Sequence, residues 1–347
     1  MKRQILLIIS LLSLLYSCRK DDDIQEIPFN NPILNLKIPT NFPQLNPLIQ
    51  DNFPTKYGVE LGEKLFYDKR LSNNNTISCA TCHQKEKAYA DSNAKAIGID
   101  GRIGLRNTPP IQNLAFLKIY MWDGAVTELS TQPLIPIITH EEMDSNILEI
   151  IDKIKNDIEY QQAFKKAFGD SQINGKRILE SLTQFMYTLI SANSKYDKVQ
   201  RKEATFTDLE QRGYNIFEKK CSTCHSGALL TDQSFRNIGF PINPNTVEEH
   251  GLARVTGKDE DIMKFRVPSL RNIEYTAPYG SFGEFQTLRD VLDYFDNGVK
   301  YAPNLDNEMK KRTDGKLGIS LSEDEKNALI AFLKTLSDKD FIISKHR

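Results

Sequence analysis

The pattern Cys-x-x-Cys-His occurs twice in this chain, at 79–83 and at 221–225. In each copy two thiols (Cys79 and Cys82; Cys221 and Cys224) can add to the two vinyl groups of one haem. The adjoining histidine, His83 or His225, then lies where its imidazole can bind the iron. A haem c held through thioethers cannot dissociate, which suits a protein that leaves the cytoplasm, and two irons in one chain suggest electron traffic between them. The competing readings are weaker. A thioredoxin-like redox pair needs a strand–helix context, and neither copy follows a β-rich run. One zinc site, or disulfides, would use the same four cysteines. The pairs lie about 140 residues apart, far beyond the roughly 12–20 of zinc knuckles, and each carries its own histidine.

The fifth cysteine belongs to the N-terminus. Lys2 and Arg3 precede an apolar run from Ile5 to Tyr16, too short to span a bilayer as a helix. The run ends in Leu15-Tyr16-Ser17-Cys18, which resembles the lipobox of bacterial lipoproteins and implies a signal peptide over 1–17 with lipid on Cys18. With Cys18 lipidated and the other four cysteines on haem, no thiol is left for a disulfide. Asp21, Asp22 and Asp23 follow; such a run resembles a surface-export signal of outer-membrane lipoproteins and reads equally as a solvated linker. The expected location is the periplasmic side of the cell envelope, lipid-anchored to the outer membrane, with surface exposure left open. No internal segment reads as a membrane span, so membrane contact would come through lipid alone. A net charge of −1 gives no nucleic-acid footprint.

After cleavage about 330 residues remain, which suggests two domains. Residues 18–53, rich in Pro and Asn, read as a tether and an extended surface segment. Helices are expected over 56–66, over 147–168 with Gly169 as the stop, and over 176–190. Thr207-Asp-Leu-Glu210 is a capping box whose helix leads into Cys221, and Ser322-Glu-Asp-Glu325 opens a last helix with Ala328, Leu329, Phe332, Leu333 and Leu336 as its apolar face. Strand signals are sparse. A helix precedes each Cys-x-x-Cys-His, a weak internal repeat. The fold class is mainly α: two tandem cytochrome c-like haem domains with long loops, over 54–195 and 196–340.

Several stretches carry a family resemblance. They are Leu61-Gly-Glu-Lys-Leu-Phe-Tyr-Asp-Lys-Arg-Leu71, Ile77-Ser-Cys-Ala-Thr-Cys-His83, Arg106-Asn-Thr-Pro109 and Met121-Trp-Asp-Gly124 in the first half. In the second come Cys221-Ser-Thr-Cys-His-Ser-Gly227, Phe265-Arg-Val-Pro-Ser-Leu-Arg-Asn272 and Thr276-Ala-Pro-Tyr279. From about 54 to 336 the chain resembles the bacterial di-haem cytochrome c peroxidase family, which includes the enzyme that matures methylamine dehydrogenase. The resemblance implies reduction of hydrogen peroxide at the N-terminal haem, with electrons entering the C-terminal haem from a small cytochrome c or blue-copper protein. It leaves a homodimer open.

That chemistry needs a carboxyl that takes a proton from peroxide and returns one to the leaving oxygen. The resemblance assigns this to Glu142, in His140-Glu-Glu-Met143; by residue type alone it is a surface carboxylate beside Glu141 and Asp144. Gln132 matches a pocket glutamine, whose amide can donate without changing charge. Trp122, the only tryptophan, would by default be core packing; the resemblance places it between the haems as an electron route. A calcium ion between the domains is implied at Asn107, through its side chain, with the carbonyls of Thr276 and Pro278, against the plain reading of an Asn-Thr-Pro turn.

Two departures matter. Some family members carry a histidine roughly sixteen residues after the first motif that closes the first haem, whereas here the segment 96–101 has none. An open first haem is therefore expected. Ser281 stands where the family has a propionate-contacting histidine, and Phe295 where it has the sixth ligand of the second haem. Tyr294 could ligate after a local shift, since one residue rotates a helical side chain by about 100°; Met263 and Met309 are sulfur alternatives. His250 and His346 receive no role. Two other functions remain open: oxidation of a protein substrate, as in the maturation enzyme, and plain di-haem electron carriage.

Overall fold

In both halves, the helix before the haem motif packs through a glycine. Helix Lys56–Tyr67 buries Gly58, Leu61, Gly62, Leu65 and Phe66 against helix Gly175–Tyr187. A Cβ on Gly62 would lie 1.9 Å from the carbonyl oxygen of Ser181. Helix Asp208–Lys220 meets helix Glu323–Lys334 in the same manner, where a Cβ on Gly213 would lie 2.0 Å from the carbonyl oxygen of Ala328. The weak repeat in the sequence thus has a physical counterpart, one backbone-to-backbone helix contact per half. Gly213→Ala is expected to destabilise the holoprotein by about 1–3 kcal/mol through overpacking; an unchanged urea midpoint would contradict this contact.

The computed structural model describes residues 29–240 and 249–343. The expected signal peptide over 1–17, the lipid site Cys18 and His346 lie outside the described residues. From Asn31 onward the chain forms one compact unit. It is mainly helical; among the described residues the only named strands are Phe235–Arg236 and Phe265–Arg266, paired antiparallel with Phe235 opposite Arg266. No described helix is long and apolar enough to cross a membrane.

The expected capping boxes form at Thr207 with Glu210 and at Ser322 with Glu325. The single helix expected over 147–168 is two, Ile147–Ile154 and Ile158–Phe168. Asp157 breaks it: its carboxylate caps the second helix by accepting from the amides of Glu159 and Tyr160, and pairs with Arg70 at 3.0 Å. The segment 31–53 lies on the first half and is tied to it by its asparagines. Asn31 bonds Thr55 and Ala167, Asn46 bonds Leu117, and Asn52 bonds Glu180.

Two apolar cores follow the two halves. The first gathers Leu61, Phe66, Phe164, Leu182 and Phe185, and the C-terminal Phe341 returns to it. The second gathers Phe217, Leu292, Leu329 and Phe332. A buried polar network joins them. Arg271 pairs with Asp197 at 2.7 Å, both with almost no exposed side chain, and also donates to the carbonyls of Ala228 and Ser191. Asn272 bonds Ser191 and Gln112, and accepts from the amide of Asp338. Burial on this scale requires every polar atom to find a partner, so the network fixes how the halves meet.

Candidate functional site

The two haem motifs share one device. Ser78 and Thr81 form a capping box that starts the short helix Cys79–Cys82, and the chain then turns back through Ala88 and Tyr89, both at positive φ. The turn sets the carbonyl oxygen of Tyr89 2.8 Å from His83 Nδ1. In the second motif helix Asp208–Lys220 delivers Cys221 directly, and the carbonyl of Leu230, also at positive φ, lies 3.2 Å from His225 Nδ1. A carbonyl at Nδ1 places the proton there and leaves Nε2 as the lone-pair nitrogen for a metal. Burial also holds both imidazoles below the usual histidine range, keeping that lone pair unprotonated. All four motif cysteines are free thiols, so the disulfide reading falls. Among the described residues no group of three or more His, Cys, Asp or Glu side chains converges, so the single zinc reading falls too.

A cavity adjoins the first motif. Its walls bring together Cys79, Cys82 and His83 with Gln132, Pro136 and Glu142, residues up to about sixty positions apart in sequence; the rest is largely apolar, including Phe66, Ile111, Leu182 and Met186. Burial, reinforced by the charge of Glu141, raises the Glu142 carboxyl above the usual carboxylate range. Its backbone is fixed by the loop 96–101. Ile99 N–H donates to the Glu142 carbonyl at 2.9 Å, and Gly98 lies so close that a Cβ would sit 2.0 Å from the Glu141 carbonyl oxygen. Ala96 and Gly98 themselves line the cavity. His140 does not: its ring is 65% exposed and held by Asp144 at 3.2 Å. Gln132 Nε2 makes only a weak contact, 3.6 Å to Met121 Sδ.

Trp122 sits where the halves meet. Its indole N–H donates to the Asn107 carbonyl at 2.9 Å, and its own carbonyl accepts from Arg266 N–H at 2.8 Å. Asn107 N–H in turn donates to the Ser281 carbonyl at 2.9 Å. The Asn107 amide group donates to the carbonyls of Asn93 and Ala94, which leaves its Oδ1 without a donor among the described residues. Beside this junction Arg106 pairs with Asp123 at 2.9 Å and with the buried Glu249 at 2.7 Å. Thr276 is buried, and Pro278 follows it in the same loop.

On the second side, Tyr294 opens the π-helical turn Tyr294–Gly298. Its hydroxyl donates to the Ile238 carbonyl at 3.1 Å and its ring stacks on Phe240 at 5.4 Å. Ligation by Tyr294 would have to break that bond, and burial pushes its phenol up, against the phenolate a metal prefers. Met309 packs with Val299, Leu305 and Phe295 in a small apolar cluster, and Met263 is likewise buried.

Three further residues matter at the site, of which Ser281 was marked in sequence only as a departure from the family. Gly98 supports Glu142. Arg266 has a guanidinium with no carboxylate partner among the described residues, one long bond to the Met121 carbonyl at 3.3 Å, and a pKa lowered by burial to about 10. Ser281 Oγ is buried with no hydrogen-bond partner. A desolvated cation and an orphaned hydroxyl are what remains when an anionic group is missing from a site. Haem propionates are such anions, and Arg266 and Ser281 are the residues that would hold them. The signal for Arg266 was its place in the Phe265–Asn272 stretch.

The paired attachment motifs, the fixed imidazoles and these anion partners define a di-haem c-type protein. A family model for di-haem cytochrome c peroxidase matches residues 56–205, and one for cytochrome c matches 210–337. The chain is 31% identical to methylamine utilization protein MauG of Methylophilus methylotrophus over 80% of this chain and 81% of that one. It is 32% identical to cytochrome c551 peroxidase of Nitrosomonas europaea over 80% and 79%. A solved MauG-like protein associated with microbial copper homeostasis superposes with a TM-score of 0.79 at 32% identity, covering 90% of this chain and 97% of that one. The diheme peroxidase BthA of Burkholderia thailandensis shares the fold, with a TM-score of 0.71 at 20% identity over 90% and 94%. The chain belongs to the di-haem cytochrome c peroxidase family.

Proposed function

We propose that this protein reduces hydrogen peroxide to water with two electrons from a small redox protein, a cytochrome c or a blue-copper protein. The observation that carries the reading is that His83, Cys79 and Cys82 share one cavity with the desolvated Glu142 and with Gln132. Bound haem supplies the iron that holds peroxide and the redox capacity to split it. Glu142 supplies the proton traffic: it takes a proton from one peroxide oxygen and gives it to the other, and burial raises its pKa, which eases the return of that proton. Gln132 orients peroxide with an amide that has no stronger partner among the described residues. Two electrons and two further protons then yield two waters. Trp122, tied to both halves through Asn107 and Arg266, is the route for those electrons from the second haem. The test is oxidation of a reduced small cytochrome by the holoprotein on peroxide addition; no oxidation would contradict the reading. A second reading, oxidation of a protein substrate, draws support from the likeness to MauG and to the solved MauG-like protein.

The first haem is read as open, because His140 faces solvent and the loop beside Glu142 carries no histidine. A high-spin ferric signal is expected in the EPR spectrum of the isolated protein, and an all-low-spin spectrum would contradict it. A calcium ion at Asn107, Thr276 and Pro278 is supported by the unengaged Asn107 Oδ1. Chelation is expected to slow electron transfer between the haems, and an unchanged rate would argue against the ion. Export, lipidation at Cys18 and a periplasmic location complete the reading, and the mass of the membrane-extracted protein tests the lipid.

A further inference from the structure

The aromatic residues behind His83 make a second exit from the first haem site. Tyr89, whose carbonyl fixes His83 Nδ1 at 2.8 Å, is fully buried. Its ring packs against Phe66, and Phe66 in turn against Tyr67. Tyr67 ends helix Lys56–Tyr67 and is 47% exposed. Phe66, a wall of the haem cavity, has its ring centroid 6.1 Å from that of Tyr89 and 5.4 Å from that of Tyr67. The connection from the iron-binding imidazole to the surface is therefore one hydrogen bond to Tyr89 and then the packed rings of Tyr89, Phe66 and Tyr67. The acidic charges of Glu63 and Glu86 act on both phenols, which eases removal of an electron. Tyr67 also lines a shallow groove with Glu60, Glu63, Lys64, Asp68 and Lys69. Neither the peroxide chemistry nor the Trp122 route uses any of this.

We infer that Tyr67 is a surface oxidation site wired to the first haem through Tyr89, at which small phenols are oxidised by one electron. The inference rests on the peroxide reading, which supplies the oxidant. Tyr67 loses one electron to the oxidised haem site and its phenolic proton to water in the groove. A phenol in the groove then gives one electron and one proton to the Tyr67 phenoxyl, restoring Tyr67 and leaving as a phenoxyl radical. Two such events consume the two oxidising equivalents of one peroxide. The groove is open and shallow, so a single-ring phenol can reach the exposed tyrosine edge.

The experiment adds peroxide to the holoprotein without a protein donor and records freeze-quench EPR and the haem optical spectrum, for the wild type and for Tyr67→Phe and Tyr89→Phe. The expected result is a tyrosyl radical in the wild type that is lost in Tyr67→Phe. Guaiacol oxidation should fall about tenfold or more in both variants, while oxidation of a reduced cytochrome by Tyr67→Phe stays within about twofold of the wild type. A haem optical change with a radical that persists in Tyr67→Phe, or with no tyrosyl radical at all, would overturn the inference alone. No optical change in the wild type would overturn the peroxide reading and the inference with it.

Discussion

Glu142→Gln is expected to lower peroxide turnover by roughly 10²–10⁴-fold, the range for loss of a general acid–base, with both haems still attached. Glutamine keeps the size and a hydrogen-bonding oxygen of the native side chain but cannot take up and return a proton. The backbone under it is held by Ile99 and crowded by Gly98, so the substitution leaves the wall in place. The pH profile separates this from a steric effect. The first proton is taken by the carboxylate form, and burial with the Glu141 charge raises that pKa. Wild-type turnover should therefore fall on the acid side at a pH above the ordinary carboxylate range, and that limb should vanish in Glu142→Gln. Glu141→Gln, at an exposed position, should remove only the smaller charge effect and shift the limb slightly downward. A Glu142→Gln protein that turns over at the wild-type rate would remove Glu142 from the chemistry.

Asp197→Ala is expected to cost about 3–5 kcal/mol of stability, because it strands the Arg271 guanidinium in the interior. The two side chains are 0% and 1% exposed. Arg271 also bonds Ser191 across the junction of the halves, so the loss should loosen that junction as well. Burial alone would raise the Asp197 carboxyl, but the bonds and charge of Arg271, with those of Ser194, hold it below the usual aspartate range. A depressed carboxylate pKa contributes stability that is present above the unfolded value and is lost as pH falls through the folded one. The difference in urea midpoint between wild type and Asp197→Ala should therefore be full at neutral pH and shrink only below the ordinary aspartate range. Replacing Arg271 by Met in the same chain should recover part of the loss, since the stranded charge goes with it. Equal midpoints at neutral pH would contradict the role of this pair.

The parts of the molecule that were legible in sequence are those set by short spacings. The haem motifs, the capping boxes at Thr207 and Ser322 and the apolar face of the last helix each declare themselves within a few residues. The break at Asp157 did not, because half of its cause is an ion pair with Arg70, far back in the chain. Glu142 is indistinguishable from its neighbour Glu141 in sequence; only the fold, with the Gly98 loop against its backbone, makes one half-buried and the other exposed. Arg266 stands out only in three dimensions, as a cation without a carboxylate, and Ser281, marked in sequence as a departure from the family, shows only there that its hydroxyl has no partner. Nothing in sequence marks Tyr67 and Tyr89; only the fold packs both rings against Phe66, a wall of the haem cavity.

The central claim is that two electrons from a protein donor reduce one peroxide at a haem site served by Glu142. Its most direct test is an anaerobic titration of a reduced small cytochrome with hydrogen peroxide, in the presence of holoprotein whose mass confirms two attached haems. The account predicts two donor molecules oxidised per peroxide, rapidly with wild type and far more slowly with Glu142→Gln. Peroxide that leaves the donor reduced, or donor oxidation at the same rate in both proteins, would contradict it.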